Sequence, residues 1–144
     1  MPIQPYGPIH EVSQNIFCVD GEWYESAFKR RMTIIRLKNG SLVLHSSIRM
    51  EDSDLTKLNQ LGPVSTIIVP NVFHFSDAGF YSDRHPQAQV YGPEKIVKKL
   101  AKRMPVAGSL ENNWPHEQEI ACISFKNSLA GESVFVHHES KTLI

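Results

Sequence analysis

The residues best able to do chemistry lie in one short stretch, Pro70 to Gly79, which reads PNVFHFSDAG. His74 offers an imidazole that can bind a metal ion or carry a proton. Asp77, three residues on, is within reach of a shared ion or water, and Asn71 can donate or accept hydrogen bonds in the same loop. The stretch directly follows Ile67, Ile68 and Val69, an apolar run that suits a strand covered on both faces. Loops at the carboxyl ends of such strands are where α/β folds gather ligand-binding side chains, because neighbouring loops converge on one crevice. Asp77 also has a plainer use as the cap of a helix, which spacing alone does not separate from ligation.

Other chemistry is poorly represented among the seven histidines. His45 ends the run LVLHSS beside Ser46 and Ser47, and reads as a strand-end histidine satisfied by backbone. His137 and His138 are adjacent, so in a regular strand they point to opposite faces and cannot chelate one metal together. His10, His85 and His116 read as surface positions. The sequence has no glycine-rich phosphate loop followed by Lys-Ser/Thr and no G-x-S-x-G elbow. It also lacks an HExxH pair and an EF-hand loop. Lys29-Arg30-Arg31 is a basic run too short to imply nucleic-acid binding.

Composition narrows the partners. Fifteen basic residues balance fifteen acidic ones, so no global charge draws the chain to nucleic acid or to an acidic membrane. No apolar run approaches the roughly 20 residues a membrane span needs. The start, MPIQPYGPIHEV, lacks the basic cap and apolar centre of a secretory signal. A cytoplasmic setting is expected, in which Cys18 and Cys122 read as two buried, reduced thiols. Neither has a second cysteine at zinc-finger spacing. At 144 residues the chain can build one domain with a real core.

The elements that must position these residues alternate between strand and helix. Asn15 to Trp23 reads as an opening strand, with Asp20-Gly21 as a turn signal. Met32 to Leu37 and Ser41 to His45 form a hairpin through Asn39-Gly40, which supplies the positive φ angles a tight turn needs. Next comes a helix capped by Asp52 or Ser53, with Leu55, Leu58 and Leu61 as its stripe and Gly62-Pro63 as its stop. Val64 to Val69 is the buried strand. Asp77 to Arg84 reads as a short helix and Ala88 to Tyr91 as a brief strand. A helix from Gly92-Pro93 is expected to bury Ile96, Val97, Leu100, Ala101 and Met104 and to present a solvated lysine face. Met104 to Gln118 reads as a loop. Strands at Ile120 to Phe125, Ser133 to His138 and Lys141 to Ile144 close the chain. This order implies a layered α/β sandwich. Thr142 to Ile144 resembles the start of a buried strand, so the natural protein is expected to continue past Ile144.

With these segments in view, the chain resembles the DUF4336-type family of uncharacterised proteins with a metallo-β-lactamase-like fold. The carriers are NIFCVDG, RMTIIRLKNGSLVLHSS, LGPVSTIIVPNVFH and GESVFVHHESKTLI. The resemblance implies an αββα sandwich, here incomplete at its C-terminus, with the Pro70 to Gly79 loop at the usual metal site. Catalytic members of the wider superfamily carry HxHxDH in that loop. Aligned on Gly79, Val72 stands for the first histidine, His74 matches the second, Ser76 stands for the aspartate and Asp77 for the last histidine. Ser128, in NSLAG, stands where a further histidine is usual, and the bridging acid would fall beyond Ile144. Only His74 carries over by identity. His45 ends the strand beside the superfamily's site, which makes it a third possible ligand.

Three ligands and an open position are the usual need of catalytic zinc. The expectation is therefore a degenerate site that is non-catalytic or binds a small ligand around Asn71, His74 and Ser76. The alternative is a hydrolase using one zinc, iron or manganese ion held by His74, Asp77 and His45. A third reading is a module that forms a homo-oligomer, because an incomplete sandwich exposes apolar surface.

Overall fold

The central strands are near-continuous apolar runs because both of their faces are covered. The computed structural model describes residues 2–23, 28–125, 127 and 132–144. A seven-stranded sheet is built from β1 (His10–Ser13), β2 (Ile16–Glu22), β3 (Lys29–Arg36), β4 (Leu42–His45), β5 (Val64–Ile68), β6 (Gln89–Gly92) and β7 (Gly108–Ser109). They lie side by side in chain order. The first three pairings are antiparallel; those of β4 with β5, β5 with β6 and β6 with β7 are parallel. A second sheet of β8 (Ile120–Ser124), β9 (Ser133–His137) and β10 (Thr142–Leu143) is antiparallel, with β9 in the middle.

Side-chain alternation sorts the core into two layers. Val19, Met32, Ile34, Leu44 and Ile67 face the helices α1 (Asp52–Leu61), α2 (Phe75–Arg84) and α3 (Glu94–Leu100), meeting Leu55, Leu58, Ala78, Tyr81 and Leu100. Ile35, Val43, Ile68 and Tyr91 face the other way, onto Ile120 and Phe135 of the small sheet. Helices, large sheet and small sheet thus form the layered α/β sandwich that the element order implied. Each large aliphatic chain sealed in these layers contributes about 1.5–3 kcal/mol from burial. The outer face of the small sheet carries Ile123 and Leu143, 48% and 69% exposed, so among the described residues no second helical layer covers it.

Several local expectations are corrected. Asp20-Gly21 makes no turn: β2 runs straight through it, because Asp20 and Gly21 pair with Arg31 and Arg30 across the ladder. Two N–H groups of Arg31 reach the Asp20 carboxylate at 2.6 and 3.0 Å, which holds this polar end of the strand in register. The N-cap of α1 is Glu51, which makes no side-chain cap bond, and Asp52 and Asp54 lie in the first turn, where the helix dipole favours them. α2 begins at Phe75, two residues before Asp77. α3 stops at Leu100, which leaves Ala101 exposed and Ile96 and Val97 only half-buried. The stretch Met104 to Gln118 is not all loop: it holds β7 and the short helix α4 (Leu110–Asn113), capped where the Ser109 hydroxyl accepts from the Asn112 N–H. Both cysteines are free as expected, but Cys122 is only half-buried.

The Asn39-Gly40 hairpin forms, but only Gly40 takes a positive φ, 85°, while Asn39 does not; the Leu37 N–H donates to the Ser41 carbonyl at 2.8 Å. It also dictates how α1 can end. Gly62 terminates that helix at φ 156°, and a Cβ there would collide with the Gly40 carbonyl oxygen. Gly62→Ala is therefore expected to lose more than about 2 kcal/mol of stability, from backbone strain and the clash together. Urea denaturation measures it; an unchanged midpoint would contradict this packing.

Candidate functional site

Strand order creates the site. β4 and β5 are parallel neighbours with His45 beside Ile68, so their carboxyl ends open at the same edge of the sheet. His45 is the last residue of β4, and the chain turns immediately at Ser46, whose φ of 58° is left-handed. The Ser46 N–H donates to the Ile68 carbonyl at 3.3 Å, holding that turn against β5. Beyond β5, Asn71 caps a 3-10 turn of Val72–His74 by accepting from the Phe73 N–H at 3.0 Å. The turn carries His74 back over the strand ends, and α2 starts at the next residue.

The two imidazoles are brought together. Desolvation by the surrounding protein, and after it a charge on His74, push the pKa of His45 down to about 4. Its Nδ1 lies 3.2 Å from the Ser46 hydroxyl, and its ring meets Phe135 edge-on at 5.4 Å. His74 is also held below its ordinary range, first by desolvation and then by the cation of Arg30, with Asp77 acting against them. His74 Nδ1 and the Ser47 hydroxyl are buried and make no hydrogen bond among the described residues. Trp23 meets the His74 ring edge-on at 6.3 Å.

Asp77 is already engaged. Its Oδ2 accepts from Arg30 Nη1 at 2.7 Å and from the Arg49 backbone N–H at 3.2 Å. Both side chains of this pair are nearly buried, 9% exposed for Arg30 and 14% for Asp77. Removing one partner of such a pair leaves an uncompensated charge, at a cost of about 3–5 kcal/mol. Arg30 also stacks over the Trp23 ring, its central carbon 5.1 Å from the ring centre. One turn along α2, the Tyr81 hydroxyl donates to the Ile48 carbonyl at 2.8 Å, so Asp77 and Tyr81 together bolt the helix to the segment after β4.

A metal ion fits this arrangement poorly. The unpartnered Nδ1 of His74 is a suitable donor, and a neutral His45 stands near it. The third candidate, Asp77, spends its inner oxygen on a guanidinium whose charge would repel a divalent cation. Among the described residues no three His, Cys, Asp or Glu side chains are grouped as metal ligands would be. Val72, in the place of the superfamily's first histidine, is 39% exposed on the 3-10 turn. Ser128 lies outside the described residues. Of the expected pocket, Asn71 is occupied as a cap, whereas Ser76 lines a crevice with Trp23, Arg30, Arg49, Phe73 and Asp77. That crevice holds about 20 Å³, room for about one water.

Sequence reading missed Arg30, which passed for part of a surface run. The signal was present in the alternation: Arg30 has the parity of Met32 and Ile34, which face the helices, and it sits opposite Gly21, where no side chain blocks it. Trp23 and Arg49 were missed as well, and no motif marks them.

No protein-family model and no curated protein matches the chain. Solved structures do match. A metallo-β-lactamase from Hirschia baltica superposes with a TM-score of 0.62 at 11% identity, over 95% of this chain and 70% of that one. The DIM-1 metallo-β-lactamase exposed to ceftazidime gives 0.67 at 15% identity, over 99% and 68% of the two chains. The metal-soaked Flv1 flavodiiron core from Synechocystis sp. PCC6803 gives 0.69 at 11% identity, over 99% and 42%. The chain therefore has a metallo-β-lactamase fold, and at these identities the likeness extends to the fold alone. No helix among the described residues is long and apolar enough to cross a membrane.

The depressed imidazoles make stability depend on pH with a fixed sign. Unfolded, His45 titrates near 6.5; folded, near 4. Between these values the unfolded chain binds a proton that the folded chain refuses. The contribution is complete above the unfolded pKa, falls as pH drops through the window and levels off below the folded pKa. The loss from His45 is at most about 3 kcal/mol, lessened by the solvent contact its half-buried ring keeps. His74, His116 and His137 are shifted in the same direction, mainly by burial. Urea denaturation at about pH 7.5 and about pH 4.5 should show the drop, and His45→Gln should make it shallower. A wild-type stability that is flat across the window would contradict a neutral His45.

Proposed function

We propose that this chain is a metallo-β-lactamase-fold protein whose metal site is degenerate, and that it works as a non-catalytic or small-ligand-binding protein rather than as a metal-dependent hydrolase. The observation that carries this reading is the buried pair of Arg30 and Asp77. The acid best placed to join His74 around a metal instead neutralises a guanidinium, and that guanidinium supplies positive charge where a metal would supply it. His45 and His74, both held below the ordinary imidazole range, then remain at the strand ends, and the unpartnered His74 Nδ1 is the group left to hydrogen-bond a ligand. The DUF4336 resemblance belongs to this proposal, as does a cytoplasmic setting, which suits the two free thiols.

Metal analysis of the purified protein tests it. The expected result is no stoichiometric zinc, iron or manganese, and a melting temperature unmoved by a chelator. One metal per chain, lost in His74→Ala, would instead establish the mononuclear hydrolase reading with His74, Asp77 and His45 as ligands.

The exposed Ile123 and Leu143 favour one addition: a second copy of the chain covers the outer face of the small sheet as a homo-oligomer. Sedimentation should show a dimer that dissociates on dilution and is abolished by Leu143→Lys. A monomer at high concentration would remove this part of the proposal.

A further inference from the structure

Residues 2–8 continue the line of β1 along β2. β1 pairs with β2 as far as Cys18, and the segment ahead of β1 takes over at the far end of β2, where Tyr6 bridges Gly21. The Gly7 N–H donates to the Asp20 carbonyl at 2.7 Å, and the Glu22 N–H donates to the Pro5 carbonyl at 3.0 Å. A regular strand cannot form there, because Pro2, Pro5 and Pro8 remove a backbone donor at every third position. Gly21 is the seat of this segment: a Cβ there would stand 3.4 Å from the Pro5 carbonyl oxygen and 3.2 Å from the Ile48 side chain.

The segment is gripped in one place and covers another. The Tyr6 hydroxyl donates to Asp54 Oδ2 at 2.7 Å and accepts from the Glu51 N–H at 2.8 Å, which fastens it to the start of α1. Clefts of about 470 and 490 Å³ border Pro5, Tyr6 and Gly7, so the packing around the grip is open. Beyond Tyr6, Pro2 and Gln4 wall the crevice that contains Trp23, Arg30 and Asp77. Residues 2–4 make no hydrogen bond or ion pair with the rest of the described protein; the Gln4 side chain turns to the Pro2 carbonyl at 3.5 Å instead. Their place over the crevice therefore depends on the grip at Tyr6.

We infer that residues 2–8 are a strap that closes the crevice over the Arg30 and Asp77 pair and lifts to admit a small ligand to it. With the strap down, the crevice holds about 20 Å³ and the pair is nearly sealed from solvent. Lifting it breaks the two hydrogen bonds of Tyr6 and the two backbone bonds at Pro5 and Gly7, while the pairing of β2 with β3 stays intact. Such a local opening costs far less than unfolding the sheet. The inference concerns access to the site and not what its histidines bind, so it stands or falls separately from the metal analysis.

Hydrogen exchange followed residue by residue tests it, together with acrylamide quenching of Trp23 in a Trp114→Phe background, which leaves a single tryptophan. The amides of Gly7, Glu22 and Glu51 should exchange together, and well before those of the central β2 and β3 ladder. Tyr6→Phe removes a hydrogen bond to a charged group and should speed these three amides at least about tenfold, with the ladder unchanged. Gly21→Ala, which presses on Pro5 from beneath, should act in the same direction. Both variants should raise the quenching of Trp23. Strap amides that exchange only as slowly as the ladder would overturn the inference. So would equal acceleration of strap and ladder in both variants, or faster strap exchange that leaves Trp23 quenching unchanged.

Discussion

The nearly buried ion pair of Arg30 and Asp77 is the constraint on which the site depends. It joins β3 to α2 across the helix-facing side of the large sheet, and the Arg49 backbone N–H completes it from the segment after β4. Three elements therefore meet at one carboxylate oxygen. An isolated guanidinium or carboxylate in this position would be expensive to keep out of water, so the two groups are retained together or not at all. The pair also fixes the electrostatics of the neighbourhood. The positive charge of Arg30 helps keep His74 neutral, and the buried wall around His45 does the same for its partner.

The sheet supplies the rest of the placement. Parallel pairing of β4 with β5 brings two strand ends to one edge, and each end delivers one histidine by a tight local device. For His45 the device is the left-handed Ser46; for His74 it is the Asn71-capped 3-10 turn. Open α/β sheets present ligands in this way in general, by loops at the carboxyl ends of adjacent strands. What differs in this chain is the identity of the side chains delivered. Here they deliver two imidazoles held below their ordinary range, near an Asp77 already engaged by Arg30.

Much of the fold was legible because it depends on local chemistry. The Asn39-Gly40 hairpin, the Leu55 and Leu58 stripe of α1 and the apolar strand ending at Val69 each carry their signal within a few residues. Features that depend on contacts distant in sequence were not. Asp20-Gly21 has the composition of a turn, but the cross-strand grip of Arg31 keeps it extended. α3 was overextended because the periodic apolar pattern continues to Met104 while the helix ends at Leu100. At the site, His74 drew attention from its place after a buried strand, whereas His45 came in only through the family resemblance. The engagement of Asp77 was not legible, because its partner lies 47 residues earlier in a run that looked like ordinary surface charge.

At the centre of this account, a guanidinium rather than a metal ion balances Asp77. Zinc titration by calorimetry of the wild type beside Arg30→Met is the most direct measurement of it. With Arg30 present, no one-to-one zinc binding is expected at neutral pH. With methionine in its place, Asp77 is released beside His74, and zinc affinity should rise. Tight one-to-one zinc binding by the wild type, undisturbed by Arg30→Met, would contradict the account.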